Sequence, residues 1–216
     1  MVILFTLLAG VTAVALGVDS GPLARPPSAE HAPAAALWPA APVRSGFMTV
    51  QANASGARLP SLPIEGAMPA LTGAVEWLNS PPLTAEALRG KVVLIDFWTY
   101  SCINCLNALP HVREWHRKYK DQGLVVVGVH SPEFAFEKNI NNVKRAVDRL
   151  EVAFPVAIDN NFTIWRAFGN SYWPAHYFVD AKGRIRFHHF GEGEYDKSEQ
   201  VIQQLLEEAR KEARPI

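Results

Sequence analysis

The chain has 216 residues, 49% of them hydrophobic, which is enough for one well-packed domain with appendages but not for two full domains. Its 21 basic residues balance 21 acidic ones, so bulk electrostatics argues against a nucleic-acid partner and against an acidic substrate. Only two cysteines occur, Cys102 and Cys105. A bridge between them closes so small a loop that it stabilises a fold by only about 2 kcal/mol, against nearly 5 for a loop of about a hundred residues.

Residues 1–18 carry no charge, the mark of a membrane span or of the apolar region of a signal peptide. No basic residue precedes the run and the first positive one is Arg25, which favours an uncleaved span, although Ala15-Leu16-Gly17 has the small-x-small form of a cleavage site. Residues 19–65 read as a Pro/Ala-rich linker without helical or alternating period. From residue 66 to about 212 the elements alternate as in an α/β domain.

Val92–Trp98 is a buried-strand run, and after the cysteine pair Leu106, Leu109, Val112, Trp115 and Tyr119 recur on one helical face. Leu124–Val129 predicts a second strand. Ile140, Val143, Val147 and Leu150 mark a second helix that leads into a short strand at Val156–Ile158, an order that fits parallel crossovers. His176–Val179 and Arg184–Phe190 flank the turn Asp180-Ala181-Lys182-Gly183 and predict an antiparallel hairpin. A last helix carries Val201, Ile202, Leu205, Leu206 and Ala209, with Asp196 and Glu199 spaced as a capping box.

A Cys-x-x-Cys spacing serves structural zinc sites as well as redox pairs. Zinc takes four ligands, and with no second cysteine pair it would have to recruit histidines, so neither a metal nor a cofactor is expected. At the start of a helix the spacing suits reversible exchange, because the first-turn amides and the dipole stabilise the thiolate of the first cysteine. Cys102 is then the accessible, attacking thiol and Cys105, one turn further in, the resolving one.

The run Gly90-Lys91-Val-Val-Leu-Ile-Asp-Phe-Trp-Thr-Tyr-Ser-Cys102-Ile-Asn-Cys105, together with the later Trp173-Pro174, resembles the thioredoxin superfamily and in particular its membrane-anchored TlpA-like and DipZ-like branch. The resemblance implies a thioredoxin-like fold, a central mixed sheet with helices on both faces, and thiol–disulfide oxidoreductase activity on disulfide-containing protein substrates. It assigns Asp96 as the buried carboxylate beneath the pair, placed to move a proton to or from Cys105. Pro110 matches a kinking proline of the active-site helix. Pro174 matches the cis-proline that lies against the disulfide, with Trp98 and Trp173 expected as an apolar rim that meets substrate. It also implies a catalytic domain held outside the cytoplasm and a membrane electron-transfer partner of the CcdA/DsbD type.

Strongly oxidising DsbA-like relatives place Pro-His between the cysteines, where the histidine stabilises the thiolate. Ile103 and Asn104 supply no such cation, so a net reductant is expected. Two rival readings are weaker. Thr99–Cys102 fits the T-x-x-C of thiol peroxidases, but the proline those enzymes carry upstream would fall at Ile95. Copper-binding thioredoxin-fold chaperones space their cysteines one residue wider.

Overall fold

A computed structural model of the chain describes residues 61–213; the expected span at 1–18 and nearly all of the expected linker lie outside them. Among the described residues no helix is long and apolar enough to cross a membrane.

The seven-residue strand β3 (Val92–Trp98) organises the domain because every one of its side chains is buried. Apolar residues on both faces demand cover on both sides, and the strand therefore lies inside the sheet. It pairs in parallel with β4 (Leu124–His130) and antiparallel with β6 (Ala175–Val179). Three further strands extend these pairings: β5 (Val156–Ile158) parallel to β4, β2 (Glu76–Leu78) antiparallel to β5, and β7 (Arg184–Phe190) antiparallel to β6. With β1 (Gly66–Ala67) at the other edge, the mixed sheet has the order β1-β7-β6-β3-β4-β5-β2. The expected parallel crossovers and C-terminal hairpin are present. The edge strands β1 and β2, two and three residues long, are too short to leave a period-2 signal and were not foreseen.

Alternation along β3 divides the core. Val92, Leu94 and Trp98 face α1 (Ile103–Tyr119), α2 (Ile140–Arg149) and α4 (Tyr195–Glu212), whereas Val93, Ile95 and Phe97 face α3 (Thr163–Ala167) and the segment around Met68, Leu71 and Leu88. Each fully buried aliphatic or aromatic side chain contributes about 1.5–3 kcal/mol relative to exposure, and both layers meet at β3, at the end of which the cysteines lie.

Three local features lie outside the expectations. Residues 61–65, grouped above with the linker, are fastened to the sheet: Glu65 N–H donates to Ile185 O at 2.8 Å, and the buried Arg186 guanidinium donates to Leu62 O and Pro63 O. The Asp196/Glu199 capping box is not formed. The cap of α4 is Glu194, with a left-handed backbone, and Glu199 instead accepts from Tyr119 Oη at 2.6 Å and from Lys118, tying the end of α1 to α4. Finally, α3 is only five residues long, and the Asp159 carboxylate accepts from the amides of Thr163, Ile164 and Trp165, which satisfies its otherwise orphaned first turn.

Candidate active site

Cys102 is the N-cap of α1, with an extended backbone (φ −74°, ψ 116°), and its sulfur takes the place that a serine or aspartate oxygen holds at an ordinary cap. The Cys105 amide points at Cys102 Sγ at 3.4 Å. Both thiols are free, Cys102 partly exposed and Cys105 buried. That difference in access separates their chemistry. The Cys105 thiol, the amide of Cys105 and that of Asn104 hydrogen-bond to the Cys102 sulfur and pull its pKa down to about 6, against the opposing effects of burial and of the Glu133 carboxylate. Cys105 is pushed well above the usual thiol range, because its S–H donates to the Cys102 sulfur, because it is buried, and because the Cys102 and Asp96 charges disfavour a second anion. Near neutral pH one sulfur is a thiolate and the other retains its proton.

Asp96 lies on the face of β3 that turns toward α1, 2% exposed, and its charge is felt at Cys105. Trp173-Pro174 is a cis peptide bond, and the register that pairs Phe97 with Ala175 brings it level with the turn that follows β3. Trp173 is half-buried. Its indole donates to Ser131 O at 3.0 Å and its ring packs on Trp165 at 4.2 Å between centroids. Pro110 lies inside α1, as expected.

Trp98 does not belong to a substrate-facing rim. It is 1% exposed and lies in the same core cluster as Cys105. Its indole crosses Gly128 of β4, where a Cβ would stand 2.9 Å from Trp98 Nε1 and 2.9 Å from Phe154. The absent side chain at 128 is what admits the ring, and the ring fills the core beneath the pair. The exposed apolar surface comes from other residues: Ile103 between the cysteines, the stacked Phe134 and Phe136 with Tyr100 against the latter, and Tyr172 beside Phe190.

Sequence reasoning missed a polar network on one flank of the site. Glu137 is fully buried, and its carboxylate accepts from Ser101 Oγ at 2.5 Å, from the Glu133 amide at 2.6 Å and from the Phe134 amide at 2.9 Å. Burial opposes its ionisation, but these bonds and one from Thr99 hold its pKa below the usual value. The segment that carries Phe134 and Phe136 is thereby clasped to the residue before Cys102. Beside it the buried His130 ring stacks on Tyr100 and contacts Thr99 Oγ1 at 3.3 Å; burial lowers its pKa to about 4, so it is neutral at physiological pH. Ser101 and Glu137 are 36 residues apart, and a charged residue in a single 3₁₀ turn carries no sign of burial.

A strand that delivers a cysteine pair to a helix start, one thiolate stabilised and one thiol suppressed, with a cis-proline alongside, defines a thiol–disulfide oxidoreductase of the thioredoxin/redoxin type. Comparison with known proteins agrees. The AhpC/TSA family matches residues 69–188, and the chain belongs to that family. It is 51% identical over 148 residues to the protein DipZ of Mycobacterium tuberculosis, a match that takes in 67% of this chain and 21% of DipZ, so it spans about a fifth of that relative. It is 33% identical to the thiol-disulfide oxidoreductase YkuV of Bacillus subtilis over 65% of this chain and 95% of YkuV. Among solved structures, a thioredoxin-like protein in its oxidised form superposes with a TM-score of 0.61 at 35% identity, covering 66% of this chain and 96% of the other.

Proposed function

We propose that the protein reduces disulfides in protein substrates through Cys102 and Cys105, outside the cytoplasm and tethered to a membrane by its N-terminal segment. The observation that carries the reading is the split between the two sulfurs, a Cys102 held near pKa 6 at a helix cap and a buried Cys105 held protonated. In the first step the Cys102 thiolate attacks a substrate disulfide, forms a mixed disulfide and releases one substrate thiolate, which takes a proton from water. In the second, Cys105 loses its proton to Asp96 and attacks Cys102 Sγ, closing the Cys102–Cys105 disulfide as the other substrate thiolate leaves. The substrate gains two electrons and the pair loses two. A dithiol donor must then reset the enzyme, and a membrane electron-transfer protein of the CcdA/DsbD type is the donor that the likeness to DipZ favours. Exposed Ile103, Phe134, Phe136 and Tyr172 around the pair favour an extended, apolar segment as substrate.

The thiolate supports this direction. A pKa near 6 lies nearer thioredoxin's approximate value of 7 than DsbA's of about 3.5, and a less stabilised thiolate makes a weaker oxidant. Equilibration with glutathione or dithiothreitol tests this: a midpoint below about −150 mV, with turnover of insulin disulfides, is expected. A midpoint above that value, or turnover of hydroperoxides without protein disulfide reduction, contradicts it.

A further inference from the structure

Cys105 has to lose its proton inside the protein, and the register of the sheet shows what lies along its way out. Asp96 of β3 stands opposite His176 of β6, and His176 stands opposite His189 of β7. Side chains directly opposite one another share a face of a sheet, so the three form a row across neighbouring strands beneath α1. His176 Nε2 is 3.3 Å from Asp96 Oδ1, with both side chains all but sealed from solvent. That separation is within ion-pair range, yet the two atoms are out of line for a hydrogen bond, and neither ring nitrogen of His176 has a hydrogen-bond partner in the protein. The His176 and His189 rings lie nearly parallel, 19° between planes and 6.4 Å between centroids. His189 is only half-buried, and its Nε2 contacts Glu192 O at 3.2 Å, at the rim of the sheet.

Buried polar atoms left unpaired are destabilising, and an apolar side chain would avoid that cost. The position therefore needs another explanation, and an imidazole between a buried carboxylate and a surface imidazole has one: it accepts a proton on one nitrogen and releases one from the other. The titratable groups that face it are Asp96 from β3 and His189 from β7, with Cys105 from α1 beyond Asp96. The rest of α1 offers the Trp115 ring at 6.2 Å, and the residues that α4 buries over this face, Ser198, Val201, Ile202, Leu205 and Leu206, are uncharged.

We propose that His176 is a positioning residue for the resolving step, holding with Asp96 the proton that leaves Cys105 and handing it to His189 and the solvent. The inference rests on the exchange mechanism proposed above. As Cys105 attacks Cys102 Sγ, its proton goes to the Asp96 carboxylate, is shared with His176 Nε2, and leaves from Nδ1 toward His189, with one water bridging the rings. During reduction of the pair by an external dithiol, the same row carries a proton inward to the Cys105 thiolate.

Ellman's reagent separates the two half-reactions on the full chain, because one thionitrobenzoate leaves when Cys102 attacks and a second when Cys105 resolves. In His176→Leu and His176→Gln the first phase is expected to keep its rate and pH profile. The second is expected to slow about a hundredfold, the low end of what a placed proton acceptor contributes, and to change its pH profile. Gln keeps the size and polarity but carries no proton, so failure of Gln to restore the rate separates proton transfer from packing. His189→Gln should slow the second phase by a smaller factor. In the wild type, where folding is not at issue, the ring ¹⁵N shifts of His176 should differ between the reduced and disulfide forms across the pH range. An unchanged second phase in both His176 variants, or redox-insensitive ring shifts, overturns the proposal while leaving the exchange mechanism standing. Absence of a second phase in the wild type itself would instead overturn the exchange mechanism.

Discussion

Two flanks of the cysteine pair each bury a carboxylate beside an imidazole, and they treat the carboxylate in opposite ways. On the Glu137 flank the carboxylate is met by a hydroxyl and two backbone amides, and the neutral His130 is stacked on Tyr100. On the Asp96 flank the carboxylate and His176 approach without a formed hydrogen bond, and the imidazole is otherwise unpartnered. A buried charge that is fully hydrogen-bonded holds structure, whereas a buried polar pair left incomplete contributes little to stability and calls for a functional reason. The first flank shapes the rim around the nucleophile, and the second is the one we propose serves the resolving thiol.

The contrast can be broken most forcefully at Glu137. Glu137→Ala leaves Ser101 and the amides of Glu133 and Phe134 without their acceptor, and we expect a loss of about 3 kcal/mol in denaturant unfolding. A loss below about 0.5 kcal/mol would mean that the network is not structural. His130 sets the acid limit of the same flank. Its folded pKa, near 4, is below the unfolded value of about 6.5, so the unfolded chain takes up the proton first as pH falls. The stability tied to the neutral ring is therefore complete above about pH 6.5 and is lost progressively down to about pH 4, by up to about 3 kcal/mol. Unfolding curves for wild type and His130→Asn should converge over that window, and parallel curves would contradict the assignment.

On the other flank His176→Leu should change stability by less than about 1 kcal/mol, because an apolar side chain replaces unpaired polar atoms. A loss as large as that of Glu137→Ala would make the two flanks alike and remove the distinction. The smallest effect is expected at Glu133, whose carboxylate opposes the Cys102 thiolate. Glu133→Gln should lower the midpoint of Cys102 alkylation by a few tenths of a pH unit. An upward shift would show that the charge acts in some other way.

What could be read from the sequence divides along similar lines. The strand into Cys102, the amphipathic α1, the hairpin and the Trp173-Pro174 step depend on local pattern and were legible. The resemblance also located Asp96. Trp98 was misassigned because all seven residues of β3 are buried: a strand without polar alternation does not reveal which side chain meets solvent, and the vacancy at Gly128 that receives the ring is 30 residues downstream in β4. The clasp at Glu137 and the row through His176 and His189 depend on tertiary contact and strand register, which periodicity alone does not specify. His176 opens a predicted hairpin strand with nothing local to mark its role, and only the pairing of β3 with β6 shows that it faces Asp96.

The account depends most on the inequality of the two sulfurs, which pH-dependent alkylation of the reduced protein, with the labelled cysteine identified by peptide mapping, measures directly. Cys102 should be modified first, with a midpoint near pH 6, while Cys105 stays unlabelled until the protein unfolds. Equal labelling of the two cysteines, or a Cys102 midpoint at the free-thiol value of about 8.5, would contradict it.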